Sequence, residues 1–181
     1  MKYYFDINLD IPVLKPNINL IDIKDYHNKF TVLEYVNPEI VKFFKQRNLI
    51  LLPYIEIFRS EPNYVGPIHV DVGHGDFAKM NWVFGGKDST MNWYEPIVSD
   101  KPVETTLGNR DYIYYNTTEV NHMHSQTIGI DRPSVVQVGV PHNSTNYSEH
   151  RYCVSLVFFR IAKGLPRLSM SESHEVFSDL T

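Results

Sequence analysis

Ser134-Val135-Val136-Gln137-Val138-Gly139-Val140-Pro141-His142 is the stretch on which the fold turns. Val136, Val138 and Val140 recur at every second position, the period of a strand with one apolar face. The spacing predicts a strand over 134–141, and continuing its period sets His142 at the end of the apolar face, looking into the core at its mouth. Outward from this stretch the texture repeats: short runs rich in β-branched and aromatic residues, separated by Gly, Pro, Asn and Asp. Strands are expected at 49–58, where Pro53 marks an edge or a bulge, and at 66–71, 77–84, 90–95, 111–116, 119–124, 126–130, 134–141 and 151–161. Gly85-Gly86, followed by Lys87-Asp88, supplies the positive-φ residues of a hairpin between two of them. Many short strands without alternating helices predict a sandwich or barrel rather than a parallel doubly wound sheet.

One helix is written near the front. Asn37 is its N-cap, Pro38 its first residue and Glu39 a first-turn acid, followed by Ile40, Val41, Phe43 and Phe44. Lys42, Lys45 and Arg47 lie toward the negative end of the dipole and Asn48 can stop the helix, which places it at about 38–47. After Ile161 the chain turns polar, as a surface extension or a short closing helix would.

At 181 residues the chain suits one domain: an amino-terminal extension over 1–48, a β core over 49–161 and a carboxy-terminal extension over 162–181. Its 21 acidic and 17 basic residues leave a net charge of −4, which exerts no general pull on phosphate backbones or anionic membranes. A 43% hydrophobic content is that of a folded protein. Cys153 is the only cysteine, so no disulfide within the chain and no thiolate zinc finger can form, which points to a reducing, cytoplasmic setting. No run of 18 apolar residues occurs to span a membrane, and Asp6 and Asp10 interrupt any secretory leader at the amino terminus.

The chemistry concentrates in two histidine motifs. In Pro67-Ile68-His69-Val70-Asp71, alternation turns His69 and Asp71 to one side, offering a nitrogen and an oxygen ligand. His142 adds a second imidazole, and two imidazoles with one carboxylate favour non-haem iron(II) over structural zinc. A bare His-x-Asp is common by chance, and a lone core histidine is more often hydrogen-bonded than metal-bound. Further on, Arg151-Tyr152-Cys153-Val154-Ser155-Leu156-Val157-Phe158-Phe159 reads as a last core strand with Arg151, Cys153 and Ser155 on one wall. A guanidinium buried near a metal calls for an anion, which a dicarboxylate cosubstrate supplies. A surface or salt-bridged arginine is the plain alternative.

In these residues the sequence resembles the iron(II)/2-oxoglutarate-dependent dioxygenases, whose pattern is His-x-Asp, a long gap, a second His, then Arg or Lys about ten residues later. Here the pattern is His69-x-Asp71, His142 and Arg151, spanning roughly residues 49 to 161. The segments around Asp76–Trp82 and Pro141–Ser144 look most like the small members related to prolyl and aspartyl/asparaginyl hydroxylases. The resemblance implies a mainly β double-stranded β-helix, a jelly-roll or cupin-like barrel with a little flanking α-helix packed on its outer face. It implies Fe(II) on His69, Asp71 and His142 and the distal carboxylate of 2-oxoglutarate on Arg151. Some members have a serine two residues after the arginine, where this chain has Cys153; Ser155, on the same wall, and Asn81, whose amide could equally make a strand-end hydrogen bond, are the candidate further cosubstrate contacts. It also implies O2 as cosubstrate, decarboxylation of 2-oxoglutarate to succinate and hydroxylation of a small-molecule or peptide substrate.

Three other constellations stand beside this one. His122-Met123-His124 puts two imidazoles on one strand face, as in a cupin-like metalloenzyme, yet Ser125-Gln126-Thr127-Ile128 follows where a glutamate is expected. His74 and Asp76 share a glycine-flanked loop next to the proposed metal and read as an ordinary turn. Trp82 and Trp93 read as core residues, with a substrate wall as the alternative. Cys153 sits in an apolar run as an inert thiol, and no nucleophile elbow or phosphate loop occurs. A non-catalytic jelly-roll binding protein, with the same residues as a hydrogen-bonded core cluster, is the competing reading.

Overall fold

The computed structural model describes residues 3–71, 75–97, 103–106, 111–116, 120–127 and 132–181, of which 103–106, 111 and 112 are described by their backbone path. The amino-terminal part forms β1 (Tyr4–Asp6), β2 (His27–Thr31), a single turn α1 (Val32–Tyr35), α2 (Pro38–Gln46) and β3 (Leu49–Leu51). There follow β4 (Tyr54–Ser60), β5 (Tyr64–Val65), β6 (Ile68–Asp71), β7 (Ala78–Gly85), β8 (Thr90–Pro96), β9 (Val103–Thr106) and β10 (Asp111–Tyr115). The chain closes with β11 (Val120–Gln126), β12 (Ser134–Gln137), β13 (His142–Asn146), β14 (Arg151–Leu156), β15 (Phe158–Arg160) and α3 (Met170–Val176). Among the described residues, no helix is long and apolar enough to cross a membrane.

Two antiparallel sheets face each other. One has six strands in the order β1-β12-β7-β14-β4-β2, and the other has seven, β11-β8-β13-β6-β10-β9 with β5 paired to β13. Between β4 and β14 the chain passes repeatedly from one sheet to the other, leaving β12, β7, β14 and β4 side by side in one and β11, β8, β13 and β6 in the other. This is a mainly β jelly-roll, the double-stranded β-helix expected of the sequence.

The helix α2 starts where Asn37 caps it, the side-chain oxygen accepting from Glu39 N, and ends at Asn48, whose φ of 57° is the left-handed stop that asparagine tolerates. It buries Ile40, Phe43 and Phe44 on the outer face of the six-stranded sheet, in one apolar cluster with Ile57, Met80 and Leu156. The closing helix α3 has a capping box of Ser169 and Glu172, and Phe177 just beyond it reaches the same cluster with no exposed surface. The outer core therefore draws on both extensions as well as the barrel. Val83, Met91, Trp93, Val136 and Val138 fill a separate apolar core between the sheets.

Several expected boundaries move. The run 49–58 divides at Pro53 into β3 and β4, since proline lacks the amide a continuous ladder needs. The run 151–161 likewise divides into β14 and β15, and 119–124 extends to Gln126, while 128–130 lie outside the described residues. The strand expected over 134–141 ends at Gln137: Val138-Gly139-Val140-Pro141 carries the chain across to the seven-stranded sheet, where His142 begins β13. Its valines stay in phase because the crossing segment is itself packed between the sheets. Gly85 and Gly86 do adopt positive φ, 67° and 58°, but they join strands of opposite sheets and make no hairpin. A Cβ on Gly86 would lie 2.6 Å from the Cβ of Arg151, so this turn needs glycine for space as well as for φ.

Candidate metal centre

His69 and His142 are direct partners across the β6–β13 pair, with their ring centroids 4.6 Å apart. Two residues on, Asp71 returns to the same inner face as His69. The three residues offer ligand atoms that all lie within 4.8 Å of one another. His69 Nδ1 lies 2.9 Å from the carbonyl of Pro67, and His142 Nδ1 lies 2.8 Å from that of Val140. A carbonyl only accepts, so each ring carries its proton on Nδ1 and turns the Nε2 lone pair toward the carboxylate. Asp71 Oδ1 is 3.2 Å from His69 Nε2 and 4.0 Å from His142 Nε2. Three lone-pair groups converging in a buried place repel one another unless a cation, a proton or a metal ion, lies among them.

The protonation states suit ligation. Burial foremost, then the neighbouring His69, pushes His142 down to about 4, so this imidazole is neutral at neutral pH. Burial works against ionisation of Asp71, but the ammonium of Lys79 beside it holds its carboxyl well below the usual range. The ammonium of Lys79 touches Asp71 Oδ2 at 2.5 Å and Glu56 Oε2 at 3.3 Å, while His27 Nε2 lies 3.2 Å from Glu56 Oε1. Lys79 and Glu56 are both almost wholly buried. Neither was singled out from the sequence, although alternation about Met80 already pairs Lys79 with Asn81 on the inner face of β7.

All six expected site residues meet. His69, Asp71, His142, Asn81, Arg151 and Ser155 line one cleft of about 90 Å³ between the sheets, and Lys79 lies among them. Asn81 and Ser155 are register partners across β7 and β14, and the buried Asn81 Oδ1 has no hydrogen-bond partner. Arg151 is only 4% exposed, and its Nε donates to Ser89 Oγ at 3.1 Å. Among the described residues, no carboxylate lies within ion-pair distance of its guanidinium. Burial raises the Cys153 thiol, in keeping with an inert role.

The other constellations dissolve. A bulge between His122 and His124 sets them opposite the consecutive residues Tyr94 and Trp93, so they do not share a face. His124 stacks near Tyr4 and Trp93, whereas His122 meets the edge of Tyr94. Asp76 Oδ1 accepts from Gln137 Nε2 at 2.6 Å and from Met170 N at 2.9 Å, a structural tie between the loop and α3; His74 lies outside the described residues. Trp82 packs in the outer core and Trp93 in the inner one, donating from Nε1 to Gln137 O.

No protein-family model and no curated protein matches the chain. Solved structures of similar shape include vicilin from Solanum melongena, at 10% identity over 81% of this chain and 33% of that one, with a TM-score of 0.39. Vicilin from Corylus avellana, hazelnut, is 11% identical over 89% of this chain and 40% of that one, with a TM-score of 0.39. Procruciferin, an 11S globulin from Brassica napus, is 11% identical over 97% and 37%, with a TM-score of 0.36. The chain spans about a third to two fifths of the length of each.

Proposed function

We propose that the protein is an iron(II)- and 2-oxoglutarate-dependent oxygenase that hydroxylates a small-molecule or peptide substrate. His69 Nε2, Asp71 Oδ1 and His142 Nε2 would hold the metal, a donor set of the facial-triad type that suits iron(II) and leaves positions open. When bound, iron(II) and 2-oxoglutarate supply oxygen activation coupled to decarboxylation to succinate and carbon dioxide, with one oxygen atom passing to the substrate. The protein's share is to bind, orient and keep water out.

The observation that carries the reading is Arg151. A buried guanidinium without a counter-ion is costly, and this one faces the same cleft as the triad. The buried acids Asp71 and Glu56 balance the buried cations Lys79 and Arg151. A divalent metal then leaves two positive charges to match, which is the charge of a dicarboxylate. Arg151 would hold one carboxylate end, and the side chains of Asn81, whose Oδ1 has no hydrogen-bond partner, and Ser155 would orient the molecule beside it. Val138, Met91 and Cys153 form the dry side of the cleft.

Anaerobic addition of Fe(II) and then 2-oxoglutarate to metal-free protein tests this through the visible charge-transfer band of a chelated iron–cosubstrate pair. The band is expected in the natural protein and lost in His142→Ala. In Arg151→Ala, iron binds as before but half-saturation needs on the order of 30- to 1,000-fold more 2-oxoglutarate, as for a truncated buried charge pair. Absence of the band in folded natural protein would overturn the proposal in favour of a non-catalytic binding protein.

A further inference from the structure

The two oxygens of Asp71 have different neighbours. Oδ1 faces the imidazoles, at 3.2 Å from His69 Nε2 and 4.0 Å from His142 Nε2, whereas Oδ2 is turned to Lys79 Nζ at 2.5 Å. Lys79 comes from the opposite sheet, so this contact spans the barrel interior. The ammonium is held from behind by Glu56 Oε2 at 3.3 Å, and Glu56 in turn is fixed by His27 Nε2 at 3.2 Å. A lysine at 2% exposure on a five-bond stem, clamped between two acids, has little freedom to leave.

We infer that Lys79 is a positioning residue of the centre: held by Glu56 against Asp71 Oδ2, it makes Asp71 a one-oxygen ligand and so keeps one more coordination position open. The inference rests on the metal reading of His69, Asp71 and His142. A carboxylate free to turn can chelate a cation through both oxygens, which consumes two positions of an octahedral ion where one would serve. With Oδ2 engaged by an ammonium, the second tooth is withheld, and three positions remain rather than two. Second-sphere contacts of this kind set how a ligand presents itself without touching the metal.

Mn(II) alone is the probe, and the enhancement of water-proton relaxation per bound ion is the readout, because it reports how many coordination positions carry exchanging water. Lys79→Met is the direct variant. Since it leaves Asp71 and Glu56 without their buried cation, the charge-balanced double variant Lys79→Met with Glu56→Gln accompanies it. Relaxation enhancement per bound Mn(II) is expected to fall by about one third in both, from three open positions to two. Enhancement equal to that of the natural protein, with Mn(II) bound in the double variant, would overturn the role of Lys79 while leaving the metal centre standing. No Mn(II) binding by the natural protein, or binding untouched by His142→Ala, would overturn the metal reading and this inference together.

Discussion

The two faces of the six-stranded sheet are built from alternate residues of the same strands and differ sharply in chemistry. On β4, β7 and β14 one face carries Ile55, Ile57, Met80, Trp82, Val154 and Leu156, sealed by α2 and α3. The other carries Glu56, Lys79, Asn81, Arg151 and Ser155, all buried as well. The outer face stabilises the fold by removing apolar surface from water. This polar part of the inner face, which lies beside the apolar Val83 and Cys153, holds charges whose desolvation is only partly offset by their mutual pairing, so it contributes little net stability. The difference teaches that burial on this sheet has two purposes, separable by substitution.

The largest effect belongs to the outer face. Phe44 has no exposed surface and lies against Phe158 and Phe177, so Phe44→Ala is expected to cost roughly 3–5 kcal/mol in denaturant unfolding. Metal binding by the fraction that remains folded should be unchanged. A metal affinity lost in proportion to stability would show that the two faces are not independent.

Acid sharpens the contrast from the inside. In the metal-free protein His142 titrates at about 4, below the roughly 6.5 of an unfolded histidine. The unfolded chain then binds more protons between these values, so the stability present above pH 6.5 is lost as pH falls toward 4, by about 3 kcal/mol. Asp71, also depressed, acts in the same direction below the ordinary carboxylate range. His142→Asn should flatten the slope between about pH 6.5 and 4; an unaltered slope in unfolding experiments would refute the assignment.

The smallest effect is expected at Arg151, for all its burial. In the absence of an anion its charge has no carboxylate partner among the described residues, so Arg151→Met should leave the unfolding free energy within about 1 kcal/mol of the natural value or raise it. A loss comparable to that of Phe44→Ala would mean that the guanidinium supports the fold itself.

Much of the inner face was legible because alternation is a local property. The period-two rule sets Asp71 with His69 and Ser155 with Arg151 before any tertiary contact is known. Lys79 and Glu56 escaped because a charge within a strand ordinarily reads as a solvent-facing position, and only the opposing sheet reveals what it meets. The boundary at Gln137 escaped for the opposite reason: the apolar phase of Val136 persists through Val138 and Val140 although the ladder has stopped. The strand β13 was missed because His142-Asn143-Ser144-Thr145-Asn146 has no apolar alternation; its asparagines are spent on buried hydrogen bonds, Asn143 to Gly66 O and Asn146 to Glu61 O. Both extensions looked peripheral, yet Leu168, Met170 and Phe177 show that a polar-looking tail can carry core side chains.

The register that sets His69 opposite His142 joins β6 to β13, strands far apart in the sequence. The chain from β7 to β12 is the loop that this pairing closes, and a slip of one residue would turn one ring outward. The pair is thus a clasp between distant parts of the sequence, with a long loop's entropy set against it. Captured during refolding, a metal at that point would time the closure of the barrel.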